Sequence, residues 1–74
     1  MAVSYNKLWK MLIDKEMNKT QLRISAGISK KTLAKLGKNE NVSTDILAKI
    51  CHALNADIGD IMEMIPEMKE KENG

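Results

Sequence analysis

The sequence has little of what builds disulfide-stapled, zinc-bound or membrane-embedded proteins. Its 74 residues include one cysteine, Cys51, and one histidine, His52, which excludes an internal disulfide framework and a conventional zinc site. No apolar run approaches the roughly 20 residues of a membrane-spanning helix, and Met1–Lys10 shows no secretory signal pattern. We therefore expect a reduced, cytoplasmic protein that needs no metal or other cofactor and does not enter a membrane.

Catalytic patterns are equally scarce. The sequence contains no Gly-rich phosphate-binding loop and no arrangement that pairs a nucleophile with a base. A chain of this length buries only about 60% of its unfolded surface, so its core is modest. We expect one small domain that is not an enzyme.

Charge is abundant but unevenly divided. The formal net charge is only +2. Residues 1–38 carry nine basic and two acidic side chains, a balance of +7, whereas residues 39–74 carry three basic and eight acidic ones, a balance of −5. This segregation indicates a front half that binds a polyanion and an acidic rear half that could meet a protein partner.

Apolar residues recur at helical spacing through most of the chain, and no stretch shows the alternation of a β-strand. The first predicted helix runs from Ser4, its N-cap, to Glu16. Its apolar stripe consists of Tyr5, Leu8, Trp9, Leu12 and Ile13. The two aromatic residues stand on this stripe, so we expect them to pack in the core rather than to stack on bases.

Two short helices follow, separated by a tight turn. The second helix begins after Asn18, which forms a capping box with Gln21, and it stops at Gly27. Glycine fits that position because a helix end commonly needs a left-handed residue. The third helix begins after a Ser29 cap and continues through Leu36.

The fourth predicted helix starts after Ser43 and ends at Asn55, a residue that tolerates the left-handed conformation. The fifth starts after Asp57 and continues to Ile65, where Pro66 halts it by removing an amide donor.

The fold class predicted from these elements is all-α. A compact five-helix domain occupies residues 1–66, and residues 67–74 form a charged, flexible tail.

The most specific pattern lies in the second and third helices. Apolar and small residues stand at offsets 0, 4, 5, 6, 11 and 14, which supply the few buried side chains that two short helices joined by a glycine turn require. They are Leu22, Ala26, Gly27, Ile28, Leu33 and Leu36.

This pattern resembles the helix-turn-helix of the phage-repressor family, the Cro- and CI-like proteins also called the XRE family. The resemblance spans residues 5–64, and it is carried by the Ala26-Gly27-Ile28-Ser29 turn, by Thr32-Leu33 and by residues 50–55. Two positions depart from the family pattern. Arg23 stands where a small residue is usual, and Gly37 stands where an acidic residue is common.

The resemblance implies that the third helix lies in the major groove of duplex DNA, with its N-terminal residues facing base edges. Lysine donates to guanine, serine pairs with several bases, and an alanine methyl contacts a thymine methyl. Asparagine in the following loop suits phosphate contacts. The residues expected to contact DNA are Lys19, Ser29, Lys30, Lys31, Thr32, Ala34, Lys35, Lys38 and Asn39.

We therefore expect a sequence-specific transcriptional regulator, a repressor or autoregulator. One helix discriminates too few base pairs to find a site alone, so we expect a homodimer, at least on DNA. The expected dimer surface on the fifth helix comprises Met62, Met64, Ile65 and Met68. The alternative is an antitoxin-like or adaptor module that uses the same fold to bind another protein through its acidic half.

Overall fold

The computed structural model describes residues 2–66, in which five helices lie between two short strands. The helices are α1 (Asn6–Asp14), α2 (Lys19–Ala26), α3 (Lys30–Gly37), α4 (Thr44–Leu54) and α5 (Ile58–Ile61), and the strands are β1 (Ala2–Ser4) and β2 (Glu63–Ile65). The predicted five-helix fold is confirmed, and the small sheet is an addition to it. None of the helices in this part of the chain has the length and apolar character to span a bilayer.

Polar side chains satisfy the free amides at most helix starts. Asn18 Oδ1 accepts a hydrogen bond from the Gln21 N–H at 2.8 Å, and Gln21 Oε1 accepts one from the Asn18 N–H at 2.8 Å. This is the predicted capping box of α2. Ser29 and Ser43 cap α3 and α4, and Asp57 caps α5, also as predicted. These starts are therefore fixed by residues adjacent to them in sequence.

Left-handed residues end two of the helices. Gly27 follows α2 with φ 71°, and Asn55 follows α4 with φ 54°. Both ends were predicted, because these residue types adopt positive φ at the lowest cost. α3 runs one residue beyond the predicted Leu36 and ends at Gly37.

The predicted first helix is too long at both ends, since its N-cap is Tyr5 rather than Ser4 and its last residue is Asp14 rather than Glu16. α1 begins at Asn6, and the capping position is Tyr5, whose side chain makes no cap hydrogen bond. Ser4 instead belongs to β1, and its Oγ accepts a hydrogen bond from the Asn6 N–H at 3.3 Å. Ser4, which the local sequence favours as an N-cap, is therefore part of a strand pair instead.

The predicted extension of the fifth helix to Ile65 is also wrong. α5 is a single turn that ends at Ile61, and Met62 is extended, with φ −147° and ψ 164°. The chain then enters β2, which pairs antiparallel with β1. The opposed residues are Ala2 and Ile65, Val3 and Met64, and Ser4 and Glu63. Backbone hydrogen bonds to a distant segment thus replace the helical ones.

The core lies where α1, α2, α4 and α5 meet. Its buried apolar residues are Tyr5, Leu8, Leu12, Leu22, Ala26, Ile28, Leu36, Leu47, Ile50, Leu54 and Ile61. Ile13 was expected on the buried stripe of α1 but is 73% exposed. It lies about 100° around the helix from Leu12, which places it beyond the buried face.

Tyr5 ties the start of α1 to the loop that follows α3. Its side chain is only 1% exposed. Its backbone N–H donates to Asn39 Oδ1 at 3.1 Å, and its hydroxyl donates to the Glu40 carbonyl oxygen at 2.8 Å. Asn39 adopts a left-handed conformation, φ 56°, at this point. The expectation that Tyr5 packs in the core is confirmed, and its hydroxyl also holds the end of α3.

We predict that Gly27→Val destabilises the protein. A β-branched residue at φ 71° is strained by its own backbone, at a cost of about 1–3 kcal/mol, although an added Cβ meets no atom within 4 Å. Gly37→Ala is the control, because Gly37 is helical and its added Cβ also meets nothing within 4 Å. Gly37→Ala should raise the free energy of unfolding by about 0.5–1 kcal/mol. Urea unfolding measures the stability of both variants. An unfolding midpoint of Gly27→Val equal to that of the unsubstituted protein would contradict a left-handed conformation at Gly27.

We also predict that Tyr5→Phe lowers the free energy of unfolding by about 1 kcal/mol at neutral pH, because the Glu40 carbonyl loses its donor. Burial raises the pKa of the Tyr5 hydroxyl, so the folded state favours the neutral phenol. The tyrosine contribution is therefore complete below the unfolded pKa of about 10 and is lost as pH rises through the higher folded value. Urea unfolding across this range should show the difference between the two proteins narrowing. A difference in free energy of unfolding that stays constant with pH would contradict this prediction.

Candidate nucleic-acid interface

α2 and α3 pack through the apolar residues that flank the Gly27 turn. Leu22 and Leu36 are fully buried, and Ala26 and Ile28 are 8% and 4% exposed. Leu33 is half-buried and packs against the same core. The buried positions predicted for this helix pair are thus brought together, and they fix which side of α3 faces outward.

The outward side of α3 is short, polar and positively charged. Apart from Gly37, which has no side chain, its exposed members and the residue directly after the helix are Lys30, Lys31, Ala34, Lys35 and Lys38. We call these five residues the α3 outer face. Four ammonium groups therefore stand around one small methyl group, a composition suited to anionic surfaces and to base edges.

Ser29 and Thr32 are engaged with each other at the start of α3. Ser29 Oγ accepts a hydrogen bond from the Thr32 N–H at 3.1 Å and donates one to Thr32 Oγ1 at 3.0 Å. Ser29 is exposed and Thr32 is half-buried. Both predicted contact residues therefore also hold the helix start in place.

The first turns of the helices differ in charge. α2 begins with Lys19, α3 begins with Lys30 and Lys31, and neither helix has an acidic residue in its first turn. α1 likewise has a lysine and no acidic residue in its first turn, whereas α4 and α5 carry Asp45 and Asp60 there. A helix N-terminus is already positive, so an acidic residue stabilises it and a lysine costs a few tenths of a kcal/mol. The two helices of the turn therefore concentrate positive potential at the expense of stability.

Lys19 lies beside an aromatic ring of another helix. Its Nζ is 4.5 Å from the centroid of the Trp9 ring. Trp9 is half-buried and packs against the core, whereas Lys19 is exposed. A cation over an indole face contributes about 0.5–1 kcal/mol at an exposed site. Sequence reasoning placed Trp9 against the core but could not find this contact, because the two residues belong to different helices.

Asn39 has one side-chain group committed and one available. Its Oδ1 accepts the Tyr5 N–H, and in the described chain no hydrogen-bond acceptor is found for its amide Nδ2. That amide lies one residue beyond Lys38, the last member of the α3 outer face. A donor at this position can reach an anion without breaking the bond to Tyr5.

Two of the four residues expected at a dimer surface lie on a strand rather than on the fifth helix. Met64 and Ile65 belong to β2 and are 52% and 39% exposed. Met62 is half-buried and packs against the core. Met68 and the predicted tail, residues 67–74, lie outside the described residues.

No group of three metal-binding side chains comes together within residues 2–66. Cys51 is half-buried against the core, and burial, with a smaller effect from Asp57 and Asp60, raises the pKa of its thiol. The thiol is therefore kept protonated, the form that neither attacks electrophiles nor binds metals.

Comparison with known proteins agrees with this geometry. The Cro/C1-type HTH DNA-binding domain family matches residues 7–67. The crystal structure of the transcriptional regulator VanUg, Form II, is similar to this chain, with 62% sequence identity and a TM-score of 0.86. The match covers 89% of this chain and 88% of that one. A search of curated proteins found no match.

The resemblance inferred from the turn residues is thus confirmed by a match over most of the chain. The buried helix pair, the exposed lysines and the family match lead to one assignment. The chain belongs to the Cro/C1-type helix-turn-helix family of DNA-binding domains.

Proposed function

We propose that the protein is a sequence-specific transcriptional regulator, a repressor or autoregulator, that reads the major groove of duplex DNA with α3. The observation that carries the proposal is the α3 outer face, in which four lysines surround Ala34 opposite a buried Leu36. The similar VanUg structure is that of a transcriptional regulator, which supports this proposal.

The size and chemistry of α3 suit the major groove. A helix such as α3 measures about 10–12 Å across with its side chains, which fits a groove about 12 Å wide. Lys30 and Lys31 stand in the first turn, where donors meet guanine O6 and N7, and the Ala34 methyl suits contact with a thymine methyl. The Ser29 oxygen can accept a hydrogen bond from a base amino group while its hydroxyl donates to Thr32 Oγ1.

We propose that the phosphates on either side of the groove are contacted by Lys19, Lys35, Lys38 and the Asn39 amide. If four or five lysines each neutralise a phosphate, the logarithm of the binding constant falls with the logarithm of salt concentration with a slope near −4 per monomer. These contacts give affinity and register, whereas the base contacts give specificity.

We further propose that two copies bind together on DNA. One helix that discriminates a few base pairs at about 1–3 kcal/mol each cannot select a site from a genome, and a dimer doubles this discrimination. β2 supports the proposal, since it carries exposed Met64 and Ile65 and, in residues 2–66, pairs only with β1. An unpaired strand edge with apolar side chains is a surface on which another strand can add.

We predict that Lys31→Ala and Lys35→Ala each weaken binding on the order of tenfold, measured with a duplex enriched from a random pool. Their melting temperatures should stay close to that of the unsubstituted protein, because both side chains are exposed. Lys49→Ala is the matched control, since Lys49 is an exposed lysine of α4 and should leave binding unchanged. Equal losses of binding in all three variants would contradict reading by α3. Failure of the pool to enrich any sequence would favour the adaptor function.

We also predict that Met64→Glu weakens self-association, because it puts a charge on the exposed apolar strand. Analytical ultracentrifugation with and without the enriched duplex measures the effect. Ile13→Glu is the control, because Ile13 is 73% exposed on α1, away from β2. A Met64→Glu protein that dimerises as the unsubstituted protein does would rule out this surface.

A further inference from the structure

Lys19 occupies a position that local energetics disfavour. It is the first residue of α2, where the helix macrodipole repels a cation, and α2 has no acidic residue in its first turn to offset the repulsion. Its Nζ nevertheless lies over the face of the Trp9 ring, 4.5 Å from the ring centroid. The contact with an indole from another helix offsets part of this cost and sets where the ammonium lies.

We propose that Trp9 is a positioning residue, whose indole ring holds the Lys19 ammonium at the start of α2 in a conformation ready to bind a DNA phosphate. The inference rests on the proposed DNA-binding function and assigns Trp9 a role in it. Trp9 touches no DNA in this account and acts only through Lys19.

An aromatic partner suits this task better than a carboxylate. A carboxylate would neutralise the ammonium and compete with the phosphate for it. An indole face attracts the cation through its quadrupole and leaves the net charge unchanged. The ammonium has three N–H donors, so a group seated over the ring can still direct a donor towards solvent and a phosphate.

Both ends of the contact are held in place. Trp9 is packed against the core on α1, so its ring is anchored by burial. The backbone of Lys19 lies inside the Asn18–Gln21 capping box, whose two hydrogen bonds are each 2.8 Å long. The lysine stem is the remaining flexible part, and the ring restricts it before DNA arrives. Part of the side-chain ordering that binding requires is therefore already complete in the free protein.

A double-mutant cycle tests the proposal. Duplex binding is measured as a function of salt for the unsubstituted protein, Trp9→Phe, Lys19→Met and the double variant, using the enriched duplex. Phenylalanine keeps an apolar ring but attracts cations less than tryptophan does, and methionine keeps the lysine stem without its charge. Lys49→Met is the control for loss of an exposed lysine. Urea unfolding of each protein separates stability from binding.

We expect Lys19→Met to reduce the salt slope by about 1, which is the signature of one lost phosphate contact. Trp9→Phe should weaken binding about two- to fivefold with little change in slope, and it should have no further effect when Lys19 is already methionine. An equal effect of Trp9→Phe in both backgrounds, or no effect in the unsubstituted protein, overturns the inference while leaving the proposed function standing. Absence of duplex binding by the unsubstituted protein overturns both.

Discussion

The packing of α3 against α2 across the Gly27 turn is the constraint on which the rest of the molecule depends. A helix of eight residues is too short to be stable alone, so α3 exists because Leu36 and Ile28 are buried against the core. That burial leaves one side of α3 turned outward, and the residues on that side are mostly lysines. Hydrophobic packing therefore determines the charged surface, and a change in the turn would alter both.

The uneven distribution of charge along the chain is also seen in the first turns of the helices. α4 and α5 follow the stabilising rule, with Asp45 and Asp60 in their first turns, whereas α2 and α3 place lysines there. The unfavourable arrangement occurs at both helices of the helix-turn-helix and also at α1, which has Lys7 and no acidic residue in its first turn. The Trp9 ring beside Lys19 and the Tyr5 hydrogen bonds to the loop after α3 support these elements from α1.

Sequence reasoning succeeded where structure is determined by neighbouring residues. The Asn18, Ser29 and Ser43 caps and the left-handed Gly27 and Asn55 follow from the preference of each residue type for its position, so the helix boundaries around the turn were predictable. The lysines of the α3 outer face were also found, because their spacing relative to Leu33 and Leu36 places them on the opposite side of a helix.

Apart from Ile13, whose exposure follows from its position around α1, the errors concern contacts between distant segments. β2 forms because its backbone pairs with β1, and apolar periodicity alone extended α5 through Met64 and Ile65 instead. Two further contacts join different elements, so no local sequence pattern predicts them. They are the hydrogen bond from the Tyr5 hydroxyl to Glu40 and the contact of Lys19 with Trp9.

Backbone amide chemical shifts of isotope-labelled protein, titrated with the enriched duplex, test the central claim most directly. Between the free and the DNA-bound protein, we expect the largest chemical-shift changes in residues 29–38 and a second group of changes at the start of α2. At the same protein concentration, the changes in α5 and β2 should be smaller. Changes concentrated in α5, with residues 29–38 unaffected at saturation, would contradict it.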